Sequence, residues 1–164
     1  MTLSIDTKHK TIRAVIWIGL MLYTVVLTKL ILFKRSPGYI KDQLLHRLSL
    51  HSAKANLHKA YLQPFESIKF YFSGRMPFSY VFVNLIGNIA GFIPMAIFLA
   101  MLFKPLRSAP ACILCIFFIS VGFELFQLIT ALGVCDIDDV ILNTFGGMIG
   151  YFIFWLMNRF FVIK

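Results

Sequence analysis

Acidic residues are scarce in this chain: seven Asp and Glu stand against sixteen Lys and Arg, and charged residues of both signs make up only 14% of 164 positions. A soluble domain ordinarily shows water about 25% charged residues, so this composition excludes that class. Cysteine is thin as well, and Cys112, Cys115 and Cys135 imply no disulfide framework. No zinc spacing, phosphate loop, nucleotide fingerprint or Ser-His-Asp arrangement is readable. The basic residues form no block either, so nucleic acid is not an expected partner. An anionic membrane surface is.

What the chain has in quantity is apolar length. Hydrophobic residues reach 59% and the mean hydropathy is +0.82. Four runs, at roughly 14 to 33, 80 to 103, 109 to 132 and 139 to 162, each match the roughly 20 residues that a helix needs to cross about 30 Å of hydrocarbon. The expectation is an all-α, multi-pass integral membrane protein forming a single membrane domain over 1–164. The first run follows Lys8, Lys10 and Arg13 like a secretory signal, but it is too long and ends in Lys29, Lys34 and Arg35 without a cleavage pattern. It reads as a retained helix with Lys29 snorkelling. Cys112 and Cys115 form a CxxC inside an apolar run, where packing is favoured over redox chemistry.

Four spans put both termini on one side of the membrane. They put the long connection, 34 to 79, on the same side as the short acidic one, 133 to 138. Lys and Arg number eight on the long connection and seven on the other side, so the positive-inside rule leaves orientation nearly balanced; the short flanks at 104–107 and 159–164 lean the termini inward. Within the long connection Leu50, Ala53, Leu57 and Tyr61 fall at helical spacing and predict an interfacial helix. His46, His51 and His58 read as surface histidines. Pro64-Phe65 and Ser73-Gly-Arg-Met-Pro77 predict a folded loop before the second span.

Against this apolar background the polar residues stand out, because a carboxylate near a bilayer centre costs about 3 kcal/mol. In span two, Asn84 and Asn88 are one turn apart, as are Gly87 and Gly91, which suits close helix packing with amide bonds across it. In span three, Glu124 and Gln127 share a face, with Glu124 about 12 Å inside the end of its run. Its carboxyl suits either proton transfer or a satisfied bond to Asn84, Asn88 or Asn143. Span four opens with Asp136-Ile-Asp138-Asp139: Asp136 fits a helix cap, while Asp138 and Asp139 suit the positive helix start. Asp139, Asn143 and Gly147 continue along one stripe, and Gly146 and Gly150 make a second small pair. Together Asn84, Asn88, Glu124, Gln127, Asp136, Asp139 and Asn143 predict a polar pocket at the loop-bearing side. Such donors suit a hard divalent cation, a proton, or the hydroxyl and amide groups of a lipid-linked substrate better than zinc. No cofactor is evident.

The residues Leu62-Gln-Pro-Phe-Glu-Ser-Ile68, Asn84-Leu-Ile-Gly-Asn-Ile-Ala-Gly-Phe-Ile-Pro94, Glu124-Leu-Phe-Gln127 and Gly133 through Tyr151 resemble, in order, the VanZ-like family of small bacterial membrane proteins. The likeness covers about 60 to 164. Met95 stands where glycine is expected and Cys135 where phenylalanine is; neither touches a proposed polar residue. The resemblance implies a protein of the bacterial cytoplasmic membrane whose family namesake contributes to teicoplanin resistance. Its expected partners are membrane lipid and a cell-wall precursor or lipoglycopeptide, and the GxxxG faces would let copies associate. Two other classes stand beside it. One is an intramembrane enzyme with Glu124 and Asp139 as acid and base; the other is a small proton or solute carrier.

Overall fold

The computed structural model describes residues 5–32, 41 and 56–161, with side chains from residue 10. Within these residues the chain is helical: α1 (Ile5–Leu32), α2 (Glu66–Tyr71), α3 (Phe78–Leu102), α4 (Ala109–Thr130) and α5 (Ile137–Phe161), with a 3-10 turn at Lys104–Arg107 between α3 and α4. Four of them are long and apolar enough to cross a membrane, over Lys10–Leu32, Phe78–Leu102, Ala109–Thr130 and Ile137–Phe160. A helix satisfies its own amides, and a segment in lipid has no water to do so. The expected spans therefore hold, with ends shifted by a few residues.

α5 packs along both α3 and α4, while α1 lies mainly on α3. The contact of α5 with α3 depends on missing side chains: a Cβ at Gly146 or Gly150 would run into the backbone carbonyls of Ile89 and Ile93. The small pair expected at 146 and 150 thus brings two backbones together inside one chain. The other pair does not. Gly91 meets only the Leu27 side chain at 3.1 Å, and Gly87 faces open space. Phe92, Ala96, Cys112, Ile116 and Phe154 are buried around these contacts. Cys112 belongs to this packed core, and all three cysteines are free thiols.

α1 presents Leu20 and Leu27 to α3 and leaves Val15, Met21, Leu22 and Val25 exposed, as a lipid-facing helix should. The Tyr23 hydroxyl donates to the Gly91 carbonyl of α3. Pro94, inside the same helix, has no amide to give back to the Ala90 carbonyl, one residue before Gly91. At the end opposite the long connection, Tyr151 donates to the Arg107 carbonyl at 2.8 Å and Trp17 stacks edge-on against Phe103.

The long connection departs from expectation where it is described. The helix predicted on Leu50 to Tyr61 lies mostly outside the described residues; of its described tail, Asn56 and Leu57 are helical, and the chain then turns out of the helix before Tyr61. Tyr61 instead forms an isolated parallel bridge with Asp136, donating to the Cys135 carbonyl at 2.9 Å and accepting from the Ile137 amide at 3.0 Å. This bridge joins the two connections that span parity places on one side. The folded loop before span two contains a short helix, α2, that its breakers had hidden.

Candidate functional site

The polar residues collect at the loop-bearing end of the bundle, where α4 stops and α5 starts. α4 ends at Thr130, with Ala131 in the left-handed region at φ 55° and its amide bonded to the Gln127 carbonyl at 2.8 Å. Gly133 then crosses directly over Gln127: a Cβ there would sit 2.6 Å from the amide carbon. The Gln127 side chain donates to the Ile31 carbonyl at 3.2 Å, filling one of the open acceptors at the C-terminus of α1. Expected as a ligand contact, Gln127 ties span one to span three.

Three carboxylates run in series from α4 to α2. Glu124 is buried, and its Oε2 accepts the backbone N–H of Asp136 at 2.8 Å. This backbone partner was not among those expected, and it is there because the turn after α4 folds back and brings the start of α5 down to Glu124. Asp136 Oδ1 accepts the N–H of Asp138 at 2.9 Å, which is the helix cap expected of it. Asp138 does something the sequence did not suggest. Its carboxylate turns away from its own helix and accepts Phe65 N–H at 2.5 Å and Ile68 N–H at 3.0 Å. It thereby caps α2, whose own cap residue, Phe65, lies in the left-handed region at φ 66° and offers no side-chain acceptor. A charged acceptor on two amides contributes about 1.5–3 kcal/mol per bond and offsets the strain of a bulky residue at positive φ.

Asp139, half-buried, accepts from the Asn88 side chain and so links α5 to α3. Asn84 bonds back to the Tyr80 carbonyl at 2.8 Å in its own helix. Beside Asp139 stands Tyr71, at the end of α2, in ring contact with Tyr80 at 6.2 Å. Burial, then the charges of Asp139 and Asp136 with Tyr80 and Tyr61 nearby, push the Tyr71 phenol above its ordinary range. It stays a hydrogen-bond donor at any physiological pH. Burial likewise raises the Asp136 carboxyl above 3.8, and raises the Cys135 thiol ahead of Glu124, Asp136 and Asp139. A thiol held protonated is a poor nucleophile, which leaves acids, amides and phenols as the chemistry here.

Deeper in the bundle the Asn143 side chain donates to the Ser120 hydroxyl at 2.8 Å. Asn143 therefore sits below the acid layer and not in its rim. Ser67, buried on α2 beside Asp136, makes no hydrogen bond of ordinary geometry through its hydroxyl. The structure thus gathers Asn88, Glu124, Gln127, Asp136 and Asp139 at one end with Asn143 beneath them, and adds Tyr61, Tyr71, Tyr80, Asp138 and Ser120. Ser120, Glu124 and Gln127 lie on one helical stripe, as do Tyr80, Asn84 and Asn88, so two additions carried a periodic signal. Tyr71 carried none. Among the described residues, no group of three or more His, Cys, Asp or Glu is placed to hold a metal ion.

No solved structure matches the chain. The enterococcal Protein VanZ of Enterococcus faecium is 32% identical over 140 residues, which cover 85% of this chain and 73% of that protein. The model of the VanZ/LLP1 family matches residues 20–158, from the middle of α1 nearly to the end of α5 and including every acid and amide described above. On that span of agreement, the chain belongs to the VanZ/LLP1 family.

Proposed function

We propose that this chain is a bacterial cytoplasmic-membrane protein of the teicoplanin-resistance type, which engages a cell-wall precursor or a lipoglycopeptide at the loop-bearing end of its bundle. The observation that carries the reading is the grouping of Asp139, Asn88 and Tyr71 at that end. Glu124, Asp136 and Asp138 are engaged with backbone amides. Asp139 is half-buried at the bundle's end, beside a tyrosine rim. Carboxylate and amide oxygens accept from the hydroxyl and amide groups that both ligand classes display, and phenol rings stack on sugar faces. Lys59, Lys69 and Arg75 are exposed on the same connection and suit the phosphates of a lipid-linked precursor or of anionic lipid.

The test is teicoplanin susceptibility of a sensitive Gram-positive host expressing the chain, with Asp139→Asn, Tyr71→Phe and Glu124→Gln forms at matched membrane levels. Protection by the unaltered chain, lost most fully in Asp139→Asn, is the expected result. No protection by the unaltered chain would remove the resistance reading. Full protection by Asp139→Asn would remove this site from it.

A further inference from the structure

Among the described residues, the side-chain carbonyl oxygen of Asn143 is a buried polar atom without a partner, within a membrane-crossing helix. The residue is 2% exposed and its Oδ1 has no hydrogen-bond partner, although its Nδ2 donates to Ser120, which is 0% exposed. A buried acceptor left without a donor costs about 1–3 kcal/mol, and the surrounding lipid offers none. A hydrogen-bonding molecule or a hard cation would satisfy it.

The register of α4 and α5 describes what surrounds this oxygen. Gly147 rests on Ile116, with a Cβ there only 2.7 Å from Ile116 Cγ2, and Asn143 meets Ser120 one turn further toward the loops. Continuing the same antiparallel register sets Glu124 level with Asp139, about 6 Å beyond Asn143. The Asn143 oxygen therefore has an apolar floor at Ile116 and Gly147 and a layer of two carboxylates above it. Both acids have partners of their own; an ionised carboxylate in that layer adds negative potential at Asn143 in a low-dielectric setting, which favours a positive guest.

We propose that Asn143 Oδ1 and Ser120 Oγ form the inner half of a binding site for a small monovalent cation of sodium type, reached from the loop-bearing end past Asp139. Oxygen-only donors select hard ions. Calcium and magnesium sites draw on several directly bound carboxylates or retained waters, and the described residues contain no cluster of three acidic, His or Cys ligands. Two neutral oxygens under a carboxylate layer fit a single charge. The site is independent of any envelope ligand, and its test reads ion binding without reference to resistance.

The experiment is thermal melting of the purified full chain in detergent, in choline chloride exchanged stepwise for NaCl, KCl or MgCl2 at constant ionic strength. A saturable rise of about 3 °C or more in sodium is expected, smaller in potassium and absent in magnesium. Asn143→Leu and Ser120→Ala should each abolish the sodium dependence; Ser120→Ala removes one oxygen and keeps the test open should Asn143→Leu not fold. Equal shifts in all salts, no shift, a magnesium effect as large as that of sodium, or sodium dependence retained in Ser120→Ala would each overturn the proposal.

Discussion

The two halves of the helix bundle are held by opposite physics. In the inner half α5 lies against α3 through Gly146 and Gly150, with Phe92, Ile116 and Phe154 closing the space around them. At the α3–α5 contact itself the fit depends on close approach and dispersion. At the loop-bearing end the bonds are directed: Glu124, Asp136 and Asp138 accept from backbone amides, and Asp139 of α5 accepts from the Asn88 side-chain amide of α3. The inner half sets how close the helices stand. The outer half sets which loops they hold, and the candidate site sits where close packing gives way to directed bonds.

The strongest way to break this contrast is to put the same methyl group in two places. Gly146→Ala drives a side chain into the Ile89 backbone and should cost about 3 kcal/mol. Gly87→Ala points into open space and should be neutral or stabilising by up to about 1 kcal/mol, because alanine is the better helix former. Thermal melts of the two purified variants would decide it, and equal effects would mean that the glycine contact does not set the packing.

A smaller effect is expected from Asp138→Ala, which leaves two α2 amides without their acceptor and should weaken the docking of that helix by about 2–3 kcal/mol. Hydrogen exchange should rise across residues 65–72 and stay unchanged in the inner halves of α3 and α5. Unaltered exchange at α2 would show that the Asp138 carboxylate is not its latch.

The smallest effect is a pH dependence at Asp136. Burial holds its carboxyl above the ordinary 3.8, so the folded chain takes up this proton before the unfolded chain does. Ionised Asp136 therefore costs stability above its folded value, and that cost disappears as pH falls to 3.8. Asp136→Asn keeps an oxygen for the Asp138 amide without the charge. It should melt slightly above the unaltered protein at neutral pH, with the gap closing on acidification; a gap that widens in acid would reverse the assignment.

Much of the fold was legible because a lipid span needs a long apolar run, and the four such runs match the membrane-crossing stretches of α1, α3, α4 and α5 within a few residues. The cap at Asp136 and the close-packing pair at Gly146 and Gly150 were legible too, since both depend on spacing within one helix. α2 was not: it has six residues, flanking breakers, and a cap supplied by Asp138, 73 positions away. The Gln127 bond to Ile31 and the approach of Tyr71 to Asp139 were hidden for the same reason. Helical period tells which residues share a face, but not which face of another helix they will meet.

Composition and run length alone therefore established a four-span membrane protein, and the positions of its acids and amides along the helices predicted their gathering on the side of its long connection, because the cost of polar groups in hydrocarbon leaves few other arrangements. Which partner each polar group takes was decided only in three dimensions. The contact of Gly147 with Ile116 accompanies the pairing of Asn143 with Ser120, and that register brings Glu124 level with Asp139. The fold-back after Thr130 then delivers the Asp136 amide to Glu124, and Asp138 becomes the cap of a helix it does not belong to. Such pairings depend on the axial offset between helices, which is set by packing summed over both surfaces and is written in no single stretch of chain.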